Sequence, residues 1–135
     1  MRWLAVDPGE ARVGLAICDA EERVAVPLEV VPAAAAFPAI RAIVNREEVG
    51  GIVVGLPLLP SGDEGDAARM ARRLGDRLAR SLDVELCYED ERLTTVAAAE
   101  RLHGAGLGTR ARDDIAATVL LEQFLRGRRE AGTDA

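Results

Sequence analysis

A chain of 135 residues has room for one hydrophobic core and buries roughly two-thirds of its unfolded surface on folding, so a single domain spanning residues 1–135 is expected. The formal net charge of −6 excludes a protein that coats nucleic acid through surplus cations, since that mode depends on neutralising many phosphates. With 49% hydrophobic but only 3% aromatic residues, aliphatic side chains must build the core, and every basic residue is arginine.

Trp3 to Val6, Val13 to Asp19 and Val24 to Val31 read as strands, separated by Pro8-Gly9 and by the polar run Asp19 to Arg23. Links this short imply an antiparallel meander. Ile40, Ile43 and Val44 recur at helical spacing, and Gly51 to Gly55 then forms a brief unbroken apolar run, the pattern of a buried parallel strand. The Gly- and Pro-rich segment Gly55 to Gly65 is a loop, followed by a helix over Asp66 to Ser81. Leu74, Leu78 and Leu82 share one side of that helix. Arg69, Arg72, Arg73, Arg77 and Arg80 fall within an arc of about 140° on the other, which is either a solvated face or a phosphate track.

Val84 to Tyr88 gives a further strand, Thr94 to His103 a helix, Gly104 to Arg112 a loop and Asp113 to Arg126 an amphipathic helix, with a loose tail after Arg128. The expected fold is α/β: a mixed five-stranded sheet, an antiparallel meander extended by two parallel strands, with flanking helices. Cys18 and Cys87 are too isolated for a zinc site or a disulfide framework and read as reduced, buried thiols. The longest apolar stretch, Val24 to Ile40, is interrupted by Pro27, Glu29, Pro32 and Pro38, and the chain opens directly on a strand. A cytoplasmic protein without membrane association is expected.

Three acids matter most. Asp7 and Glu91 each follow a strand end, where ligands of open α/β sheets bind, and Asp113 begins the last helix. Each alone has a simpler explanation: a turn before Pro8-Gly9, a soluble strand end, a charge favoured by the helix dipole. Asp113, however, lies one turn before the stripe Ala117, Leu120, Leu121 and Phe124, which directs it toward the sheet. Asp114 is turned about 100° away and stands at the border as an auxiliary ligand or a support for one. Carboxylates crowded near a core are tolerable only if protonated or bridged by cations. Oxygen-only donors select Mg²⁺ or Mn²⁺, and two such ions can drive phosphodiester hydrolysis. His103, the only histidine, has no evident Ser or Cys partner for a triad.

The sequence resembles the YqgF/RuvX family across nearly its whole length. The resemblance rests on Asp7-Pro8-Gly9-Glu10-Ala11-Arg12-Val13-Gly14-Leu15-Ala16, on Gly55-Leu56-Pro57-Leu58 with Gly62, on Asp90-Glu91-Arg92-Leu93-Thr94-Thr95, and on Asp113 before Ala116-Ala117 and Leu120-Leu121. It implies an RNase H-like fold and an endonuclease-like site in which Asp7, Glu91 and Asp113 bind metal. The family's acid stands three residues before the Ala-Ala pair, a count that lands on Asp113. The resemblance also suggests that Arg12 and Arg92 hold a scissile phosphate and that Thr94 or Thr95 caps the following helix near it. Before Asp113, where the family commonly carries a longer basic segment, only Arg110 and Arg112 stand.

The expected activity is therefore metal-dependent nucleic-acid hydrolysis, with 5′-end processing of pre-16S rRNA implied by the resemblance. Arg73 and Arg77 on the arginine helix are the expected distal contacts to nucleic acid. Two rivals stay open: an endonuclease on branched DNA, and a non-catalytic RNA-binding factor of ribosome assembly or transcription. No heptad or long apolar seam declares a dimer, so a monomer or weak homodimer is expected.

Overall fold

The computed structural model describes residues 1–91 and 109–133, without the side chains of 109–114 and 133. Strand β1 (Trp3–Pro8) turns at Gly9 into β2 (Arg12–Cys18), and a Cβ on Gly9 would lie 2.7 Å from the Arg12 carbonyl oxygen. The tight hairpin therefore needs glycine. Strand β3 (Ala25–Pro32) completes the antiparallel meander as an edge strand, the place where Pro27 and Pro32 cost least.

A 3₁₀ turn (Ala33–Ala35) leads into α1 (Ala36–Arg46), then β4 (Gly51–Leu56), α2 (Asp66–Ser81) and β5 (Glu85–Asp90). Strand β4 pairs in parallel with β1, and β5 in parallel with β4, so the sheet order is β3-β2-β1-β4-β5. The final helix, α3, runs Thr109–Thr133. The meander, the two parallel strands and the flanking helices match the expected architecture.

Alternation along the strands divides the core into two layers. Leu4, Val6, Leu15, Ile52, Val54 and Leu56 face α1 and α2, meeting Ile40, Ile43, Ala71 and Leu78. Trp3, Ala5, Ala16, Cys18 and Val53 face α3, meeting Ala117, Leu120, Leu121 and Leu125. Burying the three leucines of α3 contributes on the order of 6 kcal/mol, which fixes this helix across the sheet. Its direction follows from its contacts: Arg128 lies over Trp3 at the start of β1, whereas Leu120 lies over Gly55 near the end of β4. The amino-terminal end of α3 thus approaches the carboxyl ends of the parallel strands.

Helix α3 is longer at both ends than its apolar pattern suggests. Residues 109–112, expected in a loop, are helical; Thr109-Arg110-Ala111-Arg112 contains neither Gly nor Pro to stop the helix. The expected loose tail after Arg128 is helical to Thr133. Arg128 donates from Nε and Nη2 to Glu22 at 2.7 and 3.2 Å, and Arg129 donates to the Glu22 carbonyl at 3.3 Å. These contacts outweigh the helix-weakening Gly127 and Gly132. The helix expected over Thr94 to His103 lies outside the described residues. Both cysteines are free as expected, Cys18 buried and Cys87 half-buried.

Candidate active site

Asp7 shares the in–out phase of Trp3 and Ala5, both packed on α3, so β1 directs it to the α3 face of the sheet. Its cross-strand partner is Gly14, which has no side chain to compete for the space. Glu91 follows directly after β5. Its N–H donates to the Leu56 carbonyl at 3.3 Å, carrying the β4–β5 pairing one step past Asp90.

Between them runs β4, and Gly55 is what lets them meet. A Cβ on Gly55 would lie 2.3 Å from Glu91 Oε2 and 3.1 Å from Leu120 Cδ2. The missing side chain leaves a slot over β4 in which the Glu91 carboxyl rests beneath Leu120, and there it is hydrogen-bonded to Asp7. Two carboxyl groups can share a hydrogen bond only if one keeps its proton. Burial, then the hydrogen bond and charge of Asp7, then the charge of Asp90 push Glu91 up to about 9. Near neutral pH the pair therefore holds one proton between two carboxyls.

Helix α3 closes the site from above. Gln123 Nε2 donates to the Asp90 carbonyl at 3.4 Å and also bonds the side chain of Glu89, whose carboxyl burial raises. Asp113 and Asp114 belong to the first turns of α3, and their side chains lie outside the described residues. Among the described residues no three His, Cys, Asp or Glu side chains gather as a metal site. The donor chemistry nonetheless fits a hard divalent cation: two carboxyls are forced together and supply only oxygen.

Of the remaining expected site residues, Arg12 opens β2, exposed, at the same pole of the sheet as Asp7. Arg92, Thr94 and Thr95 lie outside the described residues. Arg73 and Arg77 are on α2, in the layer on the opposite side of the sheet from the acid pair. Three of the five arginines in that stripe are also engaged. Arg69 pairs with Asp66, Arg72 makes two bonds to Glu64 at 2.6 and 2.7 Å while lying over Tyr88, and Arg77 lies over Phe37. Sequence reading gave Gly55 and Leu120 only as strand, stripe and motif positions, not as parts of the site, and gave Gln123 no role. A glycine inside an apolar strand is the signal that could have found the first, since it marks a close approach.

The family model described as "RuvX: Holliday junction resolvase" matches residues 1–127. Similar curated proteins carry the description "Putative pre-16S rRNA nuclease". One from Anaeromyxobacter sp. (strain Fw109-5) is 43% identical, covering 95% of this chain and 98% of its own length. Another from Streptomyces coelicolor is 40% identical, covering 97% and 83%. Among solved structures, Thermus thermophilus RuvC aligns with a TM-score of 0.58 at 17% identity, over 96% of this chain and 97% of that one. The fowlpox virus Holliday junction resolvase aligns with a TM-score of 0.56 at 12% identity, over 94% and 99%. At these identities the two structures speak for the shared RNase H-like fold.

Proposed function

This chain belongs to the RuvX family, and on that premise we propose that it is a divalent-metal-dependent nuclease of the cytoplasm that hydrolyses phosphodiester bonds in the 5′ region of the 16S rRNA precursor. The observation that carries the chemistry is the hydrogen-bonded Asp7–Glu91 carboxyl pair under Leu120. Substrate identity rests on the relatives' description as pre-16S rRNA nucleases.

Asp7, Glu91 and Asp113 would hold Mg²⁺ or Mn²⁺, with Asp114 beside them. The third acid is supported by helical phase. Position 113 lies seven residues before Leu120, hence about 20° from it around the helix, whereas position 114 lies about 120° away. Leu120 is the α3 residue that meets Gly55 beside the Glu91 carboxyl, so Asp113 is on the side of α3 that serves the pair. When bound, the ions supply Lewis acidity and a water of lowered pKa.

The chain's own contribution is preparation. Glu91 gives up the shared proton as the site becomes charged. Gly55 and Leu120 fix its carboxyl and keep bulk water from it, and Gln123 ties α3 to the end of β5. Arg12 is assigned to the scissile phosphate, where a guanidinium offers bidentate geometry. Arg92, and Thr94 or Thr95, are assigned to the same phosphate.

A second reading, cleavage of branched DNA, is favoured by the family's description as a Holliday junction resolvase. Symmetric cutting of two strands calls for a two-fold dimer, whereas the rRNA reading is compatible with a monomer or weak homodimer. Matched labelled RNA, single-stranded DNA and four-way junctions, incubated with Mg²⁺ and with Mn²⁺, separate the readings. Metal-dependent RNA cleavage is expected. Preferential junction cutting by a dimeric species would transfer the assignment to DNA, and no cleavage of any substrate would reduce the chain to an RNA-binding factor.

A further inference from the structure

Two sets stand out among the described arginines. Arg2, Arg23, Arg46, Arg69, Arg72 and Arg128 each have a carboxylate within ion-pair distance. Arg41, Arg73, Arg77, Arg80 and Arg126 are exposed and have none among the described residues. Of this second set Arg126 stands alone on α3, whereas the other four belong to the α1–α2 layer.

Their arrangement is specific. The Arg77 guanidinium lies 3.9 Å from the centroid of the Phe37 ring and that of Arg41 lies 5.7 Å from it, so two like charges from two helices attend one aromatic ring. The ring quadrupole attracts each cation without cancelling its charge. Arg73 and Arg80, four residues before and three after Arg77, extend the same ridge of α2. Asp76, the acid nearest in sequence, accepts the Tyr88 hydroxyl at 2.7 Å. Among the described residues this is the one place where several arginines share a surface with no carboxylate at ion-pair distance, and their mutual repulsion, only partly offset by Asp76, is relieved by a polyanion.

We infer that the α1–α2 face around Phe37, Arg41, Arg73, Arg77 and Arg80 is a phosphate-backbone docking surface for folded RNA, on the opposite side of the sheet from the acid pair. Arginine forks suit phosphodiester oxygens, and contacts of this kind position a strand without reading its bases. Because Asp7 and Glu91 face α3 while this surface faces away from it, the segment held is not the segment cut. The site therefore grips structured RNA at a distance from the scissile bond. Only the identity of the cut segment rests on the nuclease reading.

The test is binding of a labelled long hairpin RNA with single-stranded flanks, and of a labelled hexaribonucleotide, to full-length protein carrying Asp7→Asn so that nothing is cleaved. Adding Arg41→Gln, Arg73→Gln and Arg77→Gln together should weaken hairpin binding roughly tenfold and reduce the slope of log K against log salt by about 2. Hexamer binding should be unchanged, and lysine at the same three positions should restore most of the hairpin affinity. Unchanged hairpin affinity and slope would overturn the inference, as would equal losses on hexamer and hairpin. If the triple variant fails to fold, Arg73→Gln and Arg80→Gln, which touch no aromatic ring, decide in its place. Because the measurement needs no cleavage, a failed patch leaves the nuclease reading standing, and an inactive parent enzyme leaves the patch standing.

Discussion

Glu22 and Glu91 occupy opposite poles of the α3 face and keep opposite company. Glu22, at φ 60° in the β2–β3 turn, accepts two bonds from Arg128 and one from the Met1 ammonium at 3.0 Å. Arg128 is the main reason its carboxyl sits below the ordinary value of 4.5. Glu91 is given a carboxyl neighbour where Glu22 is given cations, and is pushed up to about 9. The signs follow. Glu22 contributes stability that is present above 4.5 and is lost as pH falls through its lowered value. Glu91 contributes stability that is complete below 4.5 and is lost as pH rises through about 9. One carboxylate fastens the two chain ends to the fold; the other strains the fold as its shared proton is lost.

Removing the strained charges should break this contrast most strongly. Asp7→Asn, Glu91→Gln and Asp113→Asn should each lower metal-dependent cleavage by more than about a hundredfold, since even groups that only orient metal ligands cost up to that much. Without metal, Asp7→Asn and Glu91→Gln should melt at the same temperature as the parent or higher, because each relieves repulsion. Melting of the metal-free parent should fall as pH rises from 5 toward 9, a slope that Glu91→Gln should flatten. A Glu91→Gln protein that keeps both the slope and the activity would dissolve the comparison.

Geometry alone, with every charge retained, comes next. In Gly55→Ala the new Cβ would displace the end of the Glu91 side chain and press on Leu120. The displaced atom belongs to a flexible terminus, so the fold should survive. A shift of about 1 Å in a ligand should still cost roughly a hundredfold or somewhat less in kcat. Activity at parental levels would show that the slot over β4 does not position Glu91.

At the other pole, Glu22→Gln should leave cleavage untouched and lower stability by about 1 kcal/mol, the upper end for exposed pairs, because two cations make three bonds to the carboxylate. The loss should shrink in high salt and disappear as pH falls from 4.5 through the lowered value of Glu22. Chemical denaturation at two ionic strengths measures it, and an unchanged midpoint at low salt would show that the clamp holds nothing.

How much of this was legible in the sequence depends on the range of the interaction. The strands, α2 and the acids announce themselves locally, through apolar alternation, through helical phase, and through carboxylates at strand ends. Asp7 and Glu91 were therefore readable as a pair before their contact was known. The Glu22 clamp was not, because Arg128 and Glu22 are 106 residues apart and a charged, glycine-containing tail carries the local signature of a loose end. Nor was the split of α2's arginines readable. Phase places all five on one arc, but only the tertiary fold brings Glu64 to Arg72 and Phe37 to Arg77. Gly55 fell between the two cases, visible as a strand glycine but meaningful only once Glu91 and Leu120 flank it.

The smallest expected effect is the sharpest on the acid pole. Asp114→Asn removes a carboxylate one residue from Asp113, with nearly identical changes in net charge, helix-dipole interaction and local propensity. A site that responded only to negative charge near the start of α3 would treat the two substitutions alike. Helical phase distinguishes them, since Leu120 marks the side of α3 that meets Gly55 and Glu91, and position 114 is turned about 120° from it. Asp114→Asn should therefore keep most of the activity and raise the metal concentration for half-maximal rate only slightly, while Asp113→Asn is inactive at every concentration. Titrating Mn²⁺ against both variants in one assay reads the difference. If Asp114→Asn is inactive and Asp113→Asn is not, α3 is rotated relative to the acid pair, and the third ligand is Asp114.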